Sequence, residues 1–173
     1  VGDRMNLKVL IGREEIRKRV KELAEEISRD YEGKEPILVG ILNGAIIFLS
    51  DLIRELKVPI EIDFVKIKSY VGMEGQEPEV KLDVERDIEG KHLLIVEDII
   101  DTGVTIYYLK QMLMPRKPAS LKICALLDKP ERRKVDIKAD YVGFSIPDKF
   151  VVGYGLDINE RFRELPDIYY VEA

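Results

Sequence analysis

The sequence predicts an α/β domain, a mainly parallel twisted sheet flanked by helices. Three stretches carry that prediction. Leu93-Leu94-Ile95-Val96 is a run of four apolar residues. It reads as a strand buried on both faces, as parallel strands are. Ile37-Leu38-Val39-Gly40-Ile41-Leu42 reads as a second central strand. Residues 13–31 place Ile16, Val20, Leu23, Ala24, Ile27 and Tyr31 at the spacing of a helix with one buried stripe.

Taken in order, a short N-terminal segment precedes the helix at 13–31, whose charged face is solvated. Gly33 closes that helix and Pro36 opens the next element. The strand at 37–42 is followed by an Asn43-Gly44 turn and a helix over 45–56. This strand–turn–helix unit reads either as an anion site or as an ordinary turn. Residues 60–68 form a strand. Residues 69–78 then lose all periodicity and hold Gly72, Gly75 and Pro78. Loops this long in compact domains are usually functional or disordered. Residues 79–83 read as the return strand. After the strand at 93–96 come a loop at 101–105 and a helix over 106–114, ended by Pro115 and Pro118. Further strands are predicted at 120–127, 141–146 and 168–171. Arg132, Arg133 and Lys134 are read as a solvated basic turn, with contact to a phosphate or another subunit as the alternative. With no repeat, low-complexity tract or linker, the 173 residues form one domain.

Composition narrows the function classes. Charged residues are 35% and hydrophobic ones 46%, the balance of a globular chain. A net charge of −5 argues against general nucleic-acid binding. Cys124 is the only cysteine and sits in an apolar run, so it is read as a core residue with no disulfide framework. His92, the only histidine, is assigned to the surface. No 18-residue apolar run or signal peptide is evident, so no membrane partner and a cytoplasmic location are expected.

The chemistry concentrates in residues 93–105. A strand, a short loop and a helix start bring free backbone N–H groups and the positive helix end to one spot, an anion site. Gly103 permits close backbone approach, and Thr102 and Thr105 add hydroxyl donors. Glu97, Asp98 and Asp101 would repel a phosphate unless they had another task. A ribose 5-phosphate satisfies both demands, with its phosphate on the loop, its vicinal diol on Glu97 and Asp98, and Mg²⁺ nearby to offset charge. Two other readings stay open on residue chemistry alone. Asp101-Thr102-Gly103 is the aspartic-protease triplet, but that fold is all-β and supplies the aspartate in pairs. The stretch also reads as an acidic turn after a core strand.

Val96-Glu97-Asp98-Ile99-Ile100-Asp101-Thr102-Gly103-Val104-Thr105 resembles the phosphoribosyl-pyrophosphate (PRPP) motif of type I phosphoribosyltransferases. Ile146-Pro147-Asp148-Lys149-Phe150-Val151-Val152-Gly153-Tyr154-Gly155-Leu156-Asp157 resembles the purine segment of the hypoxanthine–guanine members of that family. With Asp128-Lys129-Pro130 and Lys68-Ser69-Tyr70, the resemblance covers nearly the whole chain.

This resemblance implies a small hood beside the sheet, built from the N-terminal segment and the C-terminal part, and a mobile lid at about 69–80. By the same resemblance, the lid's Ser69 and Tyr70 close over a reacting centre that water would trap. The loop from Asp101 through Thr102, Gly103 and Val104 to Thr105 takes the 5-phosphate, and Glu97 and Asp98 hold the ribose hydroxyls. The Asn43-Gly44 turn binds pyrophosphate through a cis Leu42–Asn43 bond. Many relatives carry Lys or Arg at position 43, so here the Gly44 backbone is left as donor. The family pattern further implies that Lys129 pairs with the purine 6-oxo group, Phe150 stacks on the base, and the Val151 backbone reads its Watson–Crick edge. Asp157 completes the purine segment and holds Mg²⁺ on pyrophosphate, with Glu97 and Asp98 as further metal candidates. Arg163 contacts pyrophosphate oxygens and Asp101 is the general base. The implied reaction moves 5-phosphoribose from PRPP to N9 of hypoxanthine or guanine in a homodimer or homotetramer. A xanthine- or adenine-preferring enzyme and a nucleotide- and RNA-binding regulator are the alternatives. The regulator would want a basic RNA face, which an acidic chain does not favour.

Overall fold

Six strands make the main sheet of the computed structural model, which describes residues 6–68 and 78–172. The elements are β1 (Leu7–Ile11), α1 (Arg13–Asp30), β2 (Ile37–Leu42), α2 (Ile46–Glu55), β3 (Glu61–Lys68) and β4 (Glu79–Leu82). Next come β5 (His92–Ile100), α3 (Val104–Leu113), β6 (Ser120–Asp128), β7 (Tyr141–Ser145), β8 (Val151–Val152) and β9 (Ile168–Val171). The sheet order is β4-β3-β2-β5-β6-β7. All pairings are parallel except β3–β4 at the edge.

The central strands are buried on both faces, as their apolar runs require. Leu38, Leu94, Val96, Cys124 and Leu126 cluster with α1 and α2. Ile37, Val39, Leu93, Ile95 and Ile123 cluster with α3 on the other face. Each such enclosed aliphatic side chain stabilises the fold by roughly 1.5–3 kcal/mol over an exposed one. His92 is tied to Ser120 at the N-terminal ends of β5 and β6, Nδ1 to Oγ at 2.7 Å, far along the strands from the motif residues.

β1, β9 and β8 form a separate antiparallel sheet, the hood. β1 and the two-residue β8 are strands that the sequence patterns do not predict. The hood is fastened to α1 by Asp167. Its Oδ1 accepts from the Arg13 backbone N–H at 2.6 Å and from Nε at 3.1 Å, and Oδ2 takes Nη2 at 3.1 Å. Gly12, the residue before the helix, provides no side-chain cap, so a carboxylate from the far end of the chain caps α1 instead.

The sequence boundaries need three corrections. β5 runs through Glu97 and Asp98 to Ile100, so the carboxylates sit on a strand rather than on a turn. α3 begins at Val104, two residues before the predicted start, because Gly103 at φ +86° ends the loop and the helix starts directly after it. Residues 79 and 80, which the implied lid and the predicted return strand both include, belong to β4. Residues 69–77, with Ser69 and Tyr70, lie outside the described residues.

Candidate active site

The site arises from the strand order. β2 and β5 are parallel neighbours, but α2 packs on one face of the sheet and α3 on the other. The chain leaves the two strand ends in opposite directions and opens a crevice between them, the usual ligand position in such sheets. A cleft of 240 Å³ lies there, lined by Leu42 of β2 and Gly44 after it on one side and by Glu97 and Asp98 of β5 with Asp101 and Thr105 after it on the other.

Glu97 is buried and pairs in register with Ala125 of β6. Its Oε1 accepts from the Asp98 N–H at 3.1 Å, while Asp98 Oδ1 accepts from the Ile99 N–H at 2.8 Å. Burial holds the Glu97 carboxyl well above the usual carboxylate range, and the Asp98 charge beside it adds to that. Burial raises Asp98 too, against the opposing pull of its hydrogen bonds with Glu97 and the Ile99 N–H, with a smaller pull from the Arg163 charge. Such a pair favours hydroxyl donors or a cation.

The phosphate loop is built as its sequence suggests. Gly103 takes φ +86°, and a Cβ there would lie 2.6 Å from Ile137 Cγ2 and 2.9 Å from Arg133 Cδ. Gly103 offers α3 no side chain, and Thr102 Oγ1 reaches the Val104 N–H only at a long 3.4 Å. The first amides of a ten-residue helix therefore face the cleft with only that one long contact from the loop's side chains.

The opposite wall is the β2–α2 turn. Its Leu42–Asn43 peptide is cis, at the bond the resemblance implied, and Asn43 is exposed. A Cβ on Gly44 would overlap the Asp98 carboxylate, so the turn lies directly on the acid pair. The hood segment 151–157 packs against this turn in the same way, through Gly155 on the Gly44 carbonyl. Asp157 Oδ2 accepts from the Glu160 N–H at 2.9 Å and faces Arg163 Nη2 at 3.4 Å. Arg163 also donates to the Gly155 carbonyl at 2.6 Å and to Glu160 at 2.8 Å.

Phe150 is 58% exposed. Sequence pattern alone makes it a core residue; the structure presents it at the surface instead. Val151 behind it is buried in β8, and the Phe150 carbonyl accepts from the Val171 N–H at 2.9 Å. Lys129 is buried, yet no carboxylate of the described residues lies within 4.0 Å of its ammonium group. Its backbone N–H bonds to the Ile100 carbonyl at 2.9 Å, which sets it beside the phosphate loop.

The basic run is the main correction. Arg132 and Lys134 are exposed, as a solvated turn requires, but Arg133 is half-buried and the run also supports the loop. Arg132 Nε donates to Asp101 Oδ1 at 3.0 Å, and Arg132 Nη1 lies 3.8 Å from Asp148. Arg133 Nη1 donates to the Asp101 carbonyl at 2.8 Å, and the Lys134 N–H to the Thr102 carbonyl at 2.9 Å. Sequence reasoning missed these residues because no spacing rule links a basic run to an acidic loop some 30 positions upstream. Their charge complementarity was the only signal.

Among the described residues, no group of three or more His, Cys, Asp or Glu side chains is placed to hold a metal ion. Asp157 and the Glu97–Asp98 pair are therefore separate positions. This suits Mg²⁺, which keeps several waters and takes one or two protein carboxylates plus substrate phosphates. Asp157 Oδ2 is taken by the Glu160 N–H, and the acid pair brings two carboxyl groups side by side.

Residues 12–159 match the family model described as a phosphoribosyl transferase domain. The chain is 50% identical over 163 residues to the hypoxanthine-guanine phosphoribosyltransferase of Bacillus subtilis, covering 93% of this chain and 91% of that one. It is 50% identical over 169 residues to the enzyme of the same name from Aquifex aeolicus, covering 96% and 95%. A crystal structure of a hypoxanthine-guanine phosphoribosyltransferase from Bacillus anthracis superposes with a TM-score of 0.92 at 46% identity, covering 96% of this chain and all of that one. By sequence, fold and site layout together, the chain belongs to the phosphoribosyl transferase family, on the branch that these hypoxanthine–guanine enzymes represent.

Proposed function

We propose that the chain is a purine-salvage transferase that moves 5-phosphoribose from PRPP to N9 of hypoxanthine or guanine, giving IMP or GMP and pyrophosphate. One observation supports this above the rest. The uncapped start of α3 and the Glu97–Asp98 pair share one cleft, which suits a ligand carrying a phosphate at one end and a diol at the other.

In this reading the amides and hydroxyls of residues 101–105 hold the 5-phosphate, and Glu97 and Asp98 accept from the ribose hydroxyls. The bond from ribose C1 to pyrophosphate breaks and a bond from C1 to purine N9 forms. A purine ring proton passes to Asp101 as general base. Phe150 supplies an aromatic face and Lys129 a charged donor to the 6-oxo oxygen, while the Val151 backbone reads the base edge. Gly44 and Arg163 hold the pyrophosphate. Asp157 would hold Mg²⁺ on the pyrophosphate side and the acid pair would take it on the ribose side, where it neutralises phosphate charge. Ser69 and Tyr70 would close the site. The working assembly is a homodimer or homotetramer in the cytoplasm. No helix of the described residues is long and apolar enough to cross a membrane.

The test is to incubate the protein with PRPP, Mg²⁺ and hypoxanthine or guanine and to measure pyrophosphate and nucleotide together. Stoichiometric IMP or GMP supports the reading. No turnover with any base moves the assignment to a nucleotide-binding regulator.

A further inference from the structure

Arg133 bonds to three separate parts of the chain. Nη1 donates to the Asp101 carbonyl at 2.8 Å, Nε to the Ile137 carbonyl at 3.1 Å, and Nη2 to the Asp128 carboxylate. The ion pair is largely enclosed, with side chains 16% and 15% exposed. The hydrocarbon stem matters as well, since a Cβ on Gly103 would come within 2.9 Å of Arg133 Cδ. The stem thus backs the glycine of the phosphate loop while the guanidinium holds the loop's first carbonyl. Asp128, the third anchor, is the residue immediately before Lys129.

We propose that Arg133 is a positioning residue that sets the distance between the Lys129 ammonium and the phosphoribose-binding loop, and so aligns purine N9 with ribose C1. The inference rests on the function proposed above. Joining two bound substrates demands placement within fractions of an ångström, because orientation carries much of the rate. A planar guanidinium with directed bonds to three partners is a stiff brace, whereas an ammonium of equal charge on a flexible stem is not. Two backbone bonds run alongside it, Lys129 N–H to the Ile100 carbonyl and Lys134 N–H to the Thr102 carbonyl, both at 2.9 Å. They hold the chain in register, Arg132 Nε holds the Asp101 carboxylate at 3.0 Å, and Arg133 ties the Asp101 carbonyl to the Asp128 side chain.

The experiment is a double-mutant cycle of Arg133→Lys and Lys129→Gln, read as kcat and KM for hypoxanthine at saturating PRPP and KM for PRPP at saturating hypoxanthine, with urea midpoints for all four proteins. If Arg133 acts through Lys129, Arg133→Lys lowers kcat while KM for PRPP and the midpoint stay near wild type. The penalty of Lys129→Gln then becomes about tenfold smaller in the Arg133→Lys background than in the wild type, the coupling expected of connected residues. Penalties that simply multiply, or near-normal kcat in Arg133→Lys, overturn the inference. Should Arg133→Lys fail to fold, Asp128→Asn takes its place in the cycle with the same expectations, because it loosens only the link to Lys129. Wild-type protein without 6-oxopurine turnover fails the functional reading and the inference with it. Normal turnover with multiplying penalties fails the inference alone.

Discussion

The α-carbon of Gly155 lies against the carbonyl oxygen of Gly44, so closely that a Cβ on Gly155 would overlap it. This contact seats the hood on the β2–α2 turn. The neighbouring Tyr154 hydroxyl reinforces it by donating to Asp51 Oδ2 of α2 at 2.5 Å. Gly155 also takes φ +98°, a conformation that L side chains rarely adopt. Gly155→Ala therefore brings backbone strain and a clash at once, and we expect a loss of about 1–3 kcal/mol of stability with weakened pyrophosphate binding. Unchanged unfolding midpoint and pyrophosphate affinity would show that the hood does not depend on this seat.

Asp101→Asn should slow nucleotide formation by about 10²–10⁴, the usual range for a lost general acid–base group. PRPP affinity should change far less, because the loop amides remain, Arg133 binds the Asp101 carbonyl, and an asparagine oxygen still accepts from Arg132 Nε. Single-turnover rates and PRPP titrations separate the two effects. Near-normal turnover removes Asp101 as the base.

Asp157→Ala should raise the Mg²⁺ concentration needed for half-maximal rate. The acid pair is a separate position and does not replace Asp157 on the pyrophosphate side. An unshifted rate-against-Mg²⁺ curve contradicts the assigned role.

The Arg13–Asp167 bond should make stability depend on acid pH. The hydrogen bonds and charge of Arg13 hold the Asp167 carboxyl below the ordinary range. A depressed carboxylate contributes stability that is complete above its unfolded value, about 3.9, and that fades as pH falls through the lower folded value. The urea-midpoint gap between wild type and Asp167→Asn should thus hold from pH 7 to about 5 and close below about 4. A gap that persists at pH 2 would mean the carboxylate charge is not what fastens the hood.

Local signals made much of this molecule legible in its sequence. The strands of the main sheet were readable because burial on both faces leaves continuous apolar runs, as in β2 and β5. The motif loop was readable because a glycine at positive φ and an uncapped helix start leave few residue choices. The rest depended on contacts between distant residues. β1 carries Val9 at 55% exposure and pairs with β9, which lies across the whole chain from it, so no local pattern marks it as a strand. Asp167 caps a helix 154 positions upstream. Phe150 shows the opposite limit, since an aromatic residue beside apolar neighbours reads as core until the fold shows it exposed. Arg133 looked like a surface charge because its partner Asp101 is brought to it only by the sheet, and no spacing rule marks Asp128, five residues before it, as a partner.

The central claim is that this site reads the 6-oxo group of a purine through Lys129. An ammonium only donates, so it pairs with the 6-oxo oxygen of hypoxanthine and opposes the 6-amino group of adenine. A lost charged hydrogen bond with a buried unpaired partner costs roughly 2–4 kcal/mol, about 30- to 1000-fold in specificity. The most direct measurement is kcat/KM for hypoxanthine and adenine in the wild type and in Lys129→Gln. The account predicts a strong wild-type preference for hypoxanthine that narrows in the variant, mainly through lost hypoxanthine activity. Equal use of both bases by the wild type, or an unchanged ratio in the variant, would contradict it.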